Sequence, residues 1–147
     1  MKRKITLLCA SVFFLTCSLF AQNETQSARN PLELYIQAHA TGNGDLIKQA
    51  FTPDARISSI REGKYAQMSR DEFAARFSGK PAADEEKRQR RIESLDVTGD
   101  VAVAKIVLDY PNVKFTDYMT LAKVDGEWKI VNKTYHAEHK RQAQAAK

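Results

Sequence analysis

The chain has 147 residues, of which 43% are hydrophobic and 28% are charged, and its formal net charge is +5. This composition fits one globular domain with its own core and excludes a disordered polar chain. The charge does not indicate a nucleic-acid partner, because the basic run at residues 2–4 supplies much of the excess and the remaining chain is nearly balanced.

Residues 1–21 have the pattern of a secretory signal peptide. They are basic at residues 2–4, then continuously apolar, and they end in a small residue. We expect cleavage before Gln22, export to a periplasmic or extracellular space, and no stable membrane insertion afterwards. Two alternatives remain open, namely a lipid on Cys17 and an uncleaved anchor, although the apolar run is shorter than the roughly 20 residues of a spanning helix.

The next part of the chain predicts three helices. Residues 22–30 are polar and predict a flexible leader. The run NPLE at residues 30–33 has a capping residue, a proline suited to the first turn and a glutamate that can complete a capping box, so the first helix should begin there. A second, short helix should follow Asp45. The capping-box run SRDE at residues 69–72 predicts the third.

The remaining elements are predicted strands. A series of helices before a long run of strands is typical of an α+β domain, which predicts a cone-shaped, curved antiparallel sheet with three helices in the N-terminal half enclosing a pocket. Residues 137–147 are rich in Ala, Gln and Lys and predict a polar tail. The predicted strands are 55–60, 64–68, 88–97, 101–110 and the two arms of a hairpin within 118–135.

The hairpin carries the main binding prediction. Asp125-Gly126 is a typical two-residue turn, and a regular register pairs Lys123 with Trp128. Because side chains alternate between the two faces of a strand, one face would be apolar and would end in polar groups. That composition is typical of a pocket for an apolar or planar molecule. The residues of this predicted face are Met119, Leu121, Trp128 and Ile130, followed by Asp117, Asn132 and Thr134.

Other candidates are individual side chains. Asp54 and His39 are the acid–base candidates, although Asp54 could equally be a turn residue and His39 a core histidine. Tyr35 shares the predicted helix face with His39 and could line the pocket. His136 and His139 lack a third ligand, so we expect no metal site. No motif for a cofactor is present, and we expect none.

Two stretches resemble a known family. YIQAHATGNGDLIKQAFTPDARI at residues 35–57 and DYMTLAKVDGEWKIVNKTY at residues 117–135 resemble the lumazine-binding family of the nuclear transport factor 2-like (SnoaL-like) superfamily. The resemblance covers about residues 31–135 and implies the cystatin-like cone of one bent sheet and three helices, so we expect the domain at residues 31–136.

From the sequence as a whole we expect an exported, non-enzymatic domain that binds a small organic ligand in the pocket that the resemblance implies. Enzymes in the same superfamily imply an alternative, a cofactor-free isomerase, dehydratase or hydrolase that would use Asp54 and His39. A second alternative is an interaction module without ligand, and we expect a homodimer. Fold alone does not choose among these functions.

Overall fold

The computed structural model describes the backbone of residues 6–140 and the side chains of residues 23–140. Its elements are three α-helices, a short 3-10 helix and six strands. The helical elements are α1 (Thr6–Thr41), α2 (Gly44–Ala50), the 3-10 helix (Glu85–Lys87) and α3 (Arg70–Ala74). The strands are β1 (Phe51–Arg61), β2 (Lys64–Ser69), β3 (Gln89–Thr98), β4 (Val101–Asp109), β5 (Val113–Val124) and β6 (Glu127–His139).

The six strands form one sheet in the order β2-β1-β6-β5-β4-β3. This architecture confirms the predicted α+β class with its helices in the N-terminal half. One pairing departs from the antiparallel pattern, because β1 runs parallel to β6. The last strand therefore lies in the middle of the sheet, between β1 and β5, and side chains from these three strands meet on the inner face that α1 covers.

The core lies between α1 and this inner face. Leu32, Tyr35 and Ala38 follow one another at helical spacing, and all three are completely buried. The short helix α2 adds Ile47 and Ala50, which are also completely buried. Burial of one apolar stripe per helix against the sheet is what holds these helices in place.

The predicted flexible leader is wrong for the described residues, and so is a helix start at Asn30, because α1 runs continuously through residues 22–30. Ala28 is completely buried on the same stripe as Leu32. Glu24 accepts hydrogen bonds from Lys123 Nζ at 2.8 Å and from Trp128 Nε1 at 3.1 Å. Contacts with a hairpin that is distant in the sequence therefore stabilise residues 22–30 as part of α1, although their local sequence is polar.

Two further predictions concern the chain ends. The predicted signal peptide, residues 1–21, and its cleavage site before Gln22 lie outside the residues whose side chains are described. The predicted tail is wrong at residues 137–139, which continue β6 and pair with β5, whereas residues 141–147 lie outside the described chain. Among the helices of the described residues, none combines the length and the apolar character needed to cross a membrane.

The hairpin has the predicted turn but not the predicted register. Asp125 and Gly126 both have positive φ, 51° and 83°, and Lys123 pairs with Trp128 as expected. Beyond the pair Leu121–Ile130, however, the register shifts, and the next pair is Thr120–Asn132. One residue, Val131, is thus extra on β6, which is the definition of a β-bulge.

The bulge reverses the faces of the rest of β6. Met119 pairs with Lys133 and Asp117 with Tyr135, so Lys133 and Tyr135 lie on the inner face. The prediction that Asn132 and Thr134 share the inner face is therefore wrong.

Candidate functional site

A buried polar cluster joins α1 to the two central strands. The Tyr35 hydroxyl donates a hydrogen bond to Asp117 Oδ2 at 2.6 Å and accepts one from Lys133 Nζ at 2.7 Å. Lys133 Nζ also lies 3.3 Å from Asp117 Oδ1, an ion-pair distance. Tyr35 and Asp117 are completely buried, and Lys133 is 4% exposed. We call these three residues the inner triad.

The sequence analysis missed Lys133, the one triad member that carries positive charge. A regular hairpin places it on the outer face, and only the bulge at Val131 turns it inward. Tyr35 and Asp117 were both predicted to line a ligand pocket, and the structure places both in the core, completely buried. No local signal in the sequence indicates the bulge, because Lys133 lies opposite Met119 only after the register shift.

Three aromatic rings around the Lys133 ammonium partly replace the water that this charge loses on burial. The Lys133 ammonium lies 4.9 Å from the ring centre of Tyr35, 5.0 Å from that of Phe73 and 4.8 Å from that of Tyr135. Aromatic faces attract cations, most strongly where water is excluded. Asp117 Oδ1, in contrast, accepts no hydrogen bond from any described residue, since its ion pair with Lys133 is poorly aligned.

Tyr35 remains protonated under ordinary conditions. Burial raises the pKa of its hydroxyl well above the usual range, and the charge of Asp117 and the hydrogen bond to it raise the pKa further. The hydroxyl is therefore a donor to Asp117 and an acceptor from Lys133, which is the orientation that the two short distances require.

Past the triad, the inner face opens into a cleft of about 610 Å³. The rings of Phe115 and Tyr135 form an edge-on pair with centres 6.0 Å apart. The Lys133 ammonium lies 4.8 Å from the centre of the Tyr135 ring. We call the cleft of about 610 Å³ the inner-face cleft. Its lining includes Ser59, Arg61, Glu62, Phe115, Tyr135 and His139.

The polar groups of the inner-face cleft are organised around one hydroxyl. Arg61 Nη2 donates to the Tyr135 hydroxyl at 2.7 Å. Partial burial raises the pKa of Tyr135, but the hydrogen bonds with Arg61 and Ser59 act in the opposite direction and leave the pKa below its usual range. The cleft thus combines two aromatic walls with an arginine-bound phenol.

On the other side of the triad lies His39, near the end of α1. Its ring meets those of Tyr35 and Phe77, with centres 4.7 Å and 5.0 Å away. Burial lowers the pKa of His39 well below its usual value, and the charges of Lys133, Arg90 and Arg88 lower it further, so the ring is neutral.

The tautomer of His39 follows from its neighbours. Arg90 Nε donates to the Tyr110 hydroxyl at 3.1 Å, and that hydroxyl lies 3.3 Å from His39 Nδ1. Because this hydroxyl accepts from arginine and still has its own proton to donate, we assign Nδ1 as its acceptor and place the ring proton on Nε2. Nε2 is buried and has no hydrogen-bond partner among the described residues.

A second cleft, of about 230 Å³, lies beside this histidine, and we call it the His39 cleft. Its lining combines aromatic rings with cations and includes no acidic side chain. The aromatic and cationic residues of this lining are His39, Phe73, Arg76, Phe77, Lys80 and Arg88.

The other predicted site residues lie apart from these groups. Asp54 is exposed on β1, so it does not join His39 in an acid–base pair. Asn132 is half-buried and Thr134 is exposed, both on the outer face. Trp128 is buried, as are the remaining apolar residues of the predicted wall. These core residues are Met119, Leu121 and Ile130.

Among the described residues, no group of three His, Cys, Asp or Glu side chains is arranged to hold a metal ion.

Comparisons with solved structures support the fold. The chain is 32% identical to a nuclear transport factor 2-like protein of unknown function from Methylobacillus flagellatus KT, covering 79% of this chain and 93% of that chain, with a TM-score of 0.67. It is 25% identical to another such protein from Silicibacter pomeroyi DSS-3, covering 80% and 98%, with a TM-score of 0.70.

Comparisons of sequence give the family. Among curated proteins, the chain is 23% identical over 103 residues to "Aldolase FrzH" of Cladobotryum sp., which covers 70% of this chain and 82% of that protein. The family model described as "Putative lumazine-binding" matches residues 23–136, most of the chain. The chain therefore belongs to this lumazine-binding family of nuclear transport factor 2-like, ligand-binding domains.

Proposed function

We propose that the protein binds a small, mainly apolar or planar organic molecule in the inner-face cleft. The observation that carries this proposal is the cleft itself, with its pair of aromatic rings beside Arg61 and its volume of about 610 Å³. Small-molecule sites are typically about 300–1,000 Å³ and combine apolar walls with a few placed polar groups.

Each part of the cleft has a role in this proposal. Phe115 and Tyr135 offer ring faces on which a planar ligand can stack. Arg61 Nη2 and the Tyr135 hydroxyl lie 2.7 Å apart, so a carbonyl or ring nitrogen of the ligand can accept from either group. The inner triad adjoins the Tyr135 ring, because Lys133 is hydrogen-bonded to Tyr35 and lies 4.8 Å from the centre of that ring.

Binding can be measured by titrating the mature protein with lumazine, a planar heterocycle, and by native mass spectrometry for a molecule that co-purifies from the host envelope. Arg61→Gln removes the charged donor and should weaken binding by about 1–3 kcal/mol. Phe115→Ala should also weaken it. The matched control is Tyr118→Ala, which removes an aromatic ring that is 58% exposed on the outer face and should not change affinity. Equal affinities for all four proteins would refute the site.

A cofactor-free enzyme is the second candidate, and the inner triad is the observation that favours it. A protonated tyrosine that is hydrogen-bonded to a lysine and a carboxylate can donate its proton to the carbonyl oxygen of a ligand, provided that the ligand displaces the side chains that now bury Tyr35. The similarity to a protein called an aldolase is in line with such chemistry. Asp54, exposed on β1, contributes less to this alternative than Lys133 does.

Turnover would distinguish the two functions. With a molecule found in the cleft as substrate, loss of a measured reaction in Tyr35→Phe, with folding and cleft affinity retained, would establish the enzyme. Retained affinity without any turnover in the unmodified protein supports the binding domain. Tyr35→Phe keeps the ring and removes only the hydroxyl, so it is the mildest change available in the triad.

We also propose that two copies associate through the outer face of the sheet. Val101, Val103 and Tyr118 lie on neighbouring strands and are 57%, 54% and 58% exposed. Contiguous exposed apolar surface of this kind favours association with another protein surface. Light scattering should give twice the monomer mass, and Val103→Lys should reduce it. A monomer at all concentrations contradicts this proposal.

Export stays a proposal and rests on the sequence of residues 1–21. N-terminal sequencing of the envelope or secreted fraction should begin at Gln22. A chain that retains Met1 in the membrane fraction would indicate an uncleaved anchor.

A further inference from the structure

The His39 cleft carries three cations without a compensating acid in its lining. Arg76 and Lys80 are exposed and form no ion pair with another described residue. Arg88 uses its Nε to bind Asp84 at 2.7 Å and lies 4.4 Å from the ring centre of Tyr110, which fixes the side chain. Its two terminal nitrogens make no hydrogen bond within the described part of the chain.

The loop that supplies Lys80 is fixed by close backbone packing. Gly79 N donates to Gly42 O at 2.8 Å, and Ser78 Oγ donates to Lys80 O at 3.0 Å. Gly42 has φ of +70°, and a Cβ on it would lie 2.0 Å from Lys80 O, so no other residue fits there without moving the loop. The backbone of the loop that carries Lys80 and the side chain of Arg88 are therefore in place before any ligand arrives, which lowers the entropic cost of binding.

His39 adds a donor that has no acceptor. Its neutral ring carries the proton on Nε2, and this buried N–H has no partner among the described residues. Buried donors are nearly always satisfied, so an unpaired one on a residue that lines a cleft indicates a missing acceptor. Phe73 and Phe77 complete the lining with apolar rings, at centre distances of 6.1 Å and 5.0 Å from the histidine.

We propose that the His39 cleft is a second binding site, separate from the inner-face cleft, for a small aromatic carboxylate. A carboxylate has only acceptor oxygens, so it can satisfy His39 Nε2–H and the free nitrogens of Arg88 at once. Its ring would pack against Phe73 and Phe77. The volume of about 230 Å³ limits the ligand to roughly one ring. This proposal does not depend on what the inner-face cleft binds.

The test uses benzoate as the probe and benzamide as its neutral control. The chain has three histidines, so ¹⁵N-histidine labelling gives separate ring signals. Benzoate should shift the Nε2 signal of His39 at pH 7.5 and leave the exposed His136 and His139 unchanged, whereas benzamide should bind at least tenfold more weakly because it lacks the charge.

Two variants at exposed or partly exposed positions test whether benzoate binds in the His39 cleft, and neither changes a core residue. Lys80→Gln and Arg88→Gln should each weaken benzoate binding about tenfold, the loss expected for one charged partner. Lys64→Gln, at the exposed β1–β2 turn, is the matched control and should bind as the unmodified protein does. The proposal is overturned if benzoate leaves His39 unshifted, if benzamide or inorganic phosphate binds equally well, or if the control loses as much affinity as the two variants.

Discussion

Replacing Lys133 by methionine is the sharpest test of the inner triad. Methionine keeps an unbranched stem of similar length but removes the ammonium group. The change breaks the 2.7 Å hydrogen bond to Tyr35 and the 3.3 Å ion pair to Asp117. Asp117, which is completely buried, is then left with one hydrogen bond and no cation.

The expected cost comes mainly from the carboxylate that stays behind. Removing one partner of a buried ion pair destabilises a protein by about 3–5 kcal/mol, whereas replacing both partners by neutral groups is often close to neutral. Lys133→Met should therefore lower the free energy of unfolding by about 3–5 kcal/mol, a large part of the roughly 5–15 kcal/mol of a domain. Adding Asp117→Asn to it should restore part of that loss.

Urea unfolding followed by circular dichroism measures each term of this double-mutant cycle. The matched control is Lys129→Met on the same strand, since Lys129 pairs with Glu127 at the surface and should cost no more than about 1 kcal/mol. A loss below about 1 kcal/mol for Lys133→Met, or strictly additive losses in the double variant, would refute a coupled buried pair.

Three further outcomes follow from the packing. Trp128 is 6% exposed and bonded to Glu24, so Trp128→Ala should cost about 3–5 kcal/mol in urea unfolding; a loss below 1 kcal/mol would place the indole at the surface. Gly42→Ala combines positive φ with a Cβ contact of 2.0 Å, so its melting temperature should fall, while Gly63→Ala, with positive φ but open space, should fall less. The folded-state pKa of His39 lies below its unfolded value of about 6.5, so the stability that its neutral ring contributes is complete above that pH and declines as the pH falls. The free energy of unfolding should therefore decrease less between pH 7.5 and 5.5 in His39→Phe than in the unmodified protein. An equal decrease would contradict a buried neutral ring.

The turn and the fold class could be predicted because their signals are local. Asp125-Gly126 needs two residues that tolerate positive φ, and the sequence supplies them at the centre of the hairpin. Helix periodicity likewise located the inward face of Tyr35. Such features depend on neighbours within a few residues, so a single sequence contains them.

The triad could not be predicted in full, because Lys133 faces inward only when the pairing of β6 with β5 shifts by one residue. Val131 is an ordinary strand residue, and nothing in its neighbours distinguishes a bulge from a regular pair. The ordered start of α1 is also a long-range result, since Glu24 binds Lys123, which lies 99 residues later in the chain. Local polarity indicated a leader there, and tertiary contacts decided otherwise.

The bulge also shows how this fold can change its interior chemistry at little structural cost. With a regular hairpin, Asn132 would lie opposite Met119, and the interior would hold a neutral amide in place of an ammonium group. With the extra residue, Lys133 takes that place beside Tyr35 and Asp117. The pairs between Leu121–Ile130 and the turn, and the pairings β3–β4 and β4–β5, can stay the same, whereas the part of β6 beyond the bulge changes its pairing with β5 and β1. The shared fold therefore determines where the interior lies. The register of one strand determines which polar groups the interior contains, and so what the protein can bind or protonate.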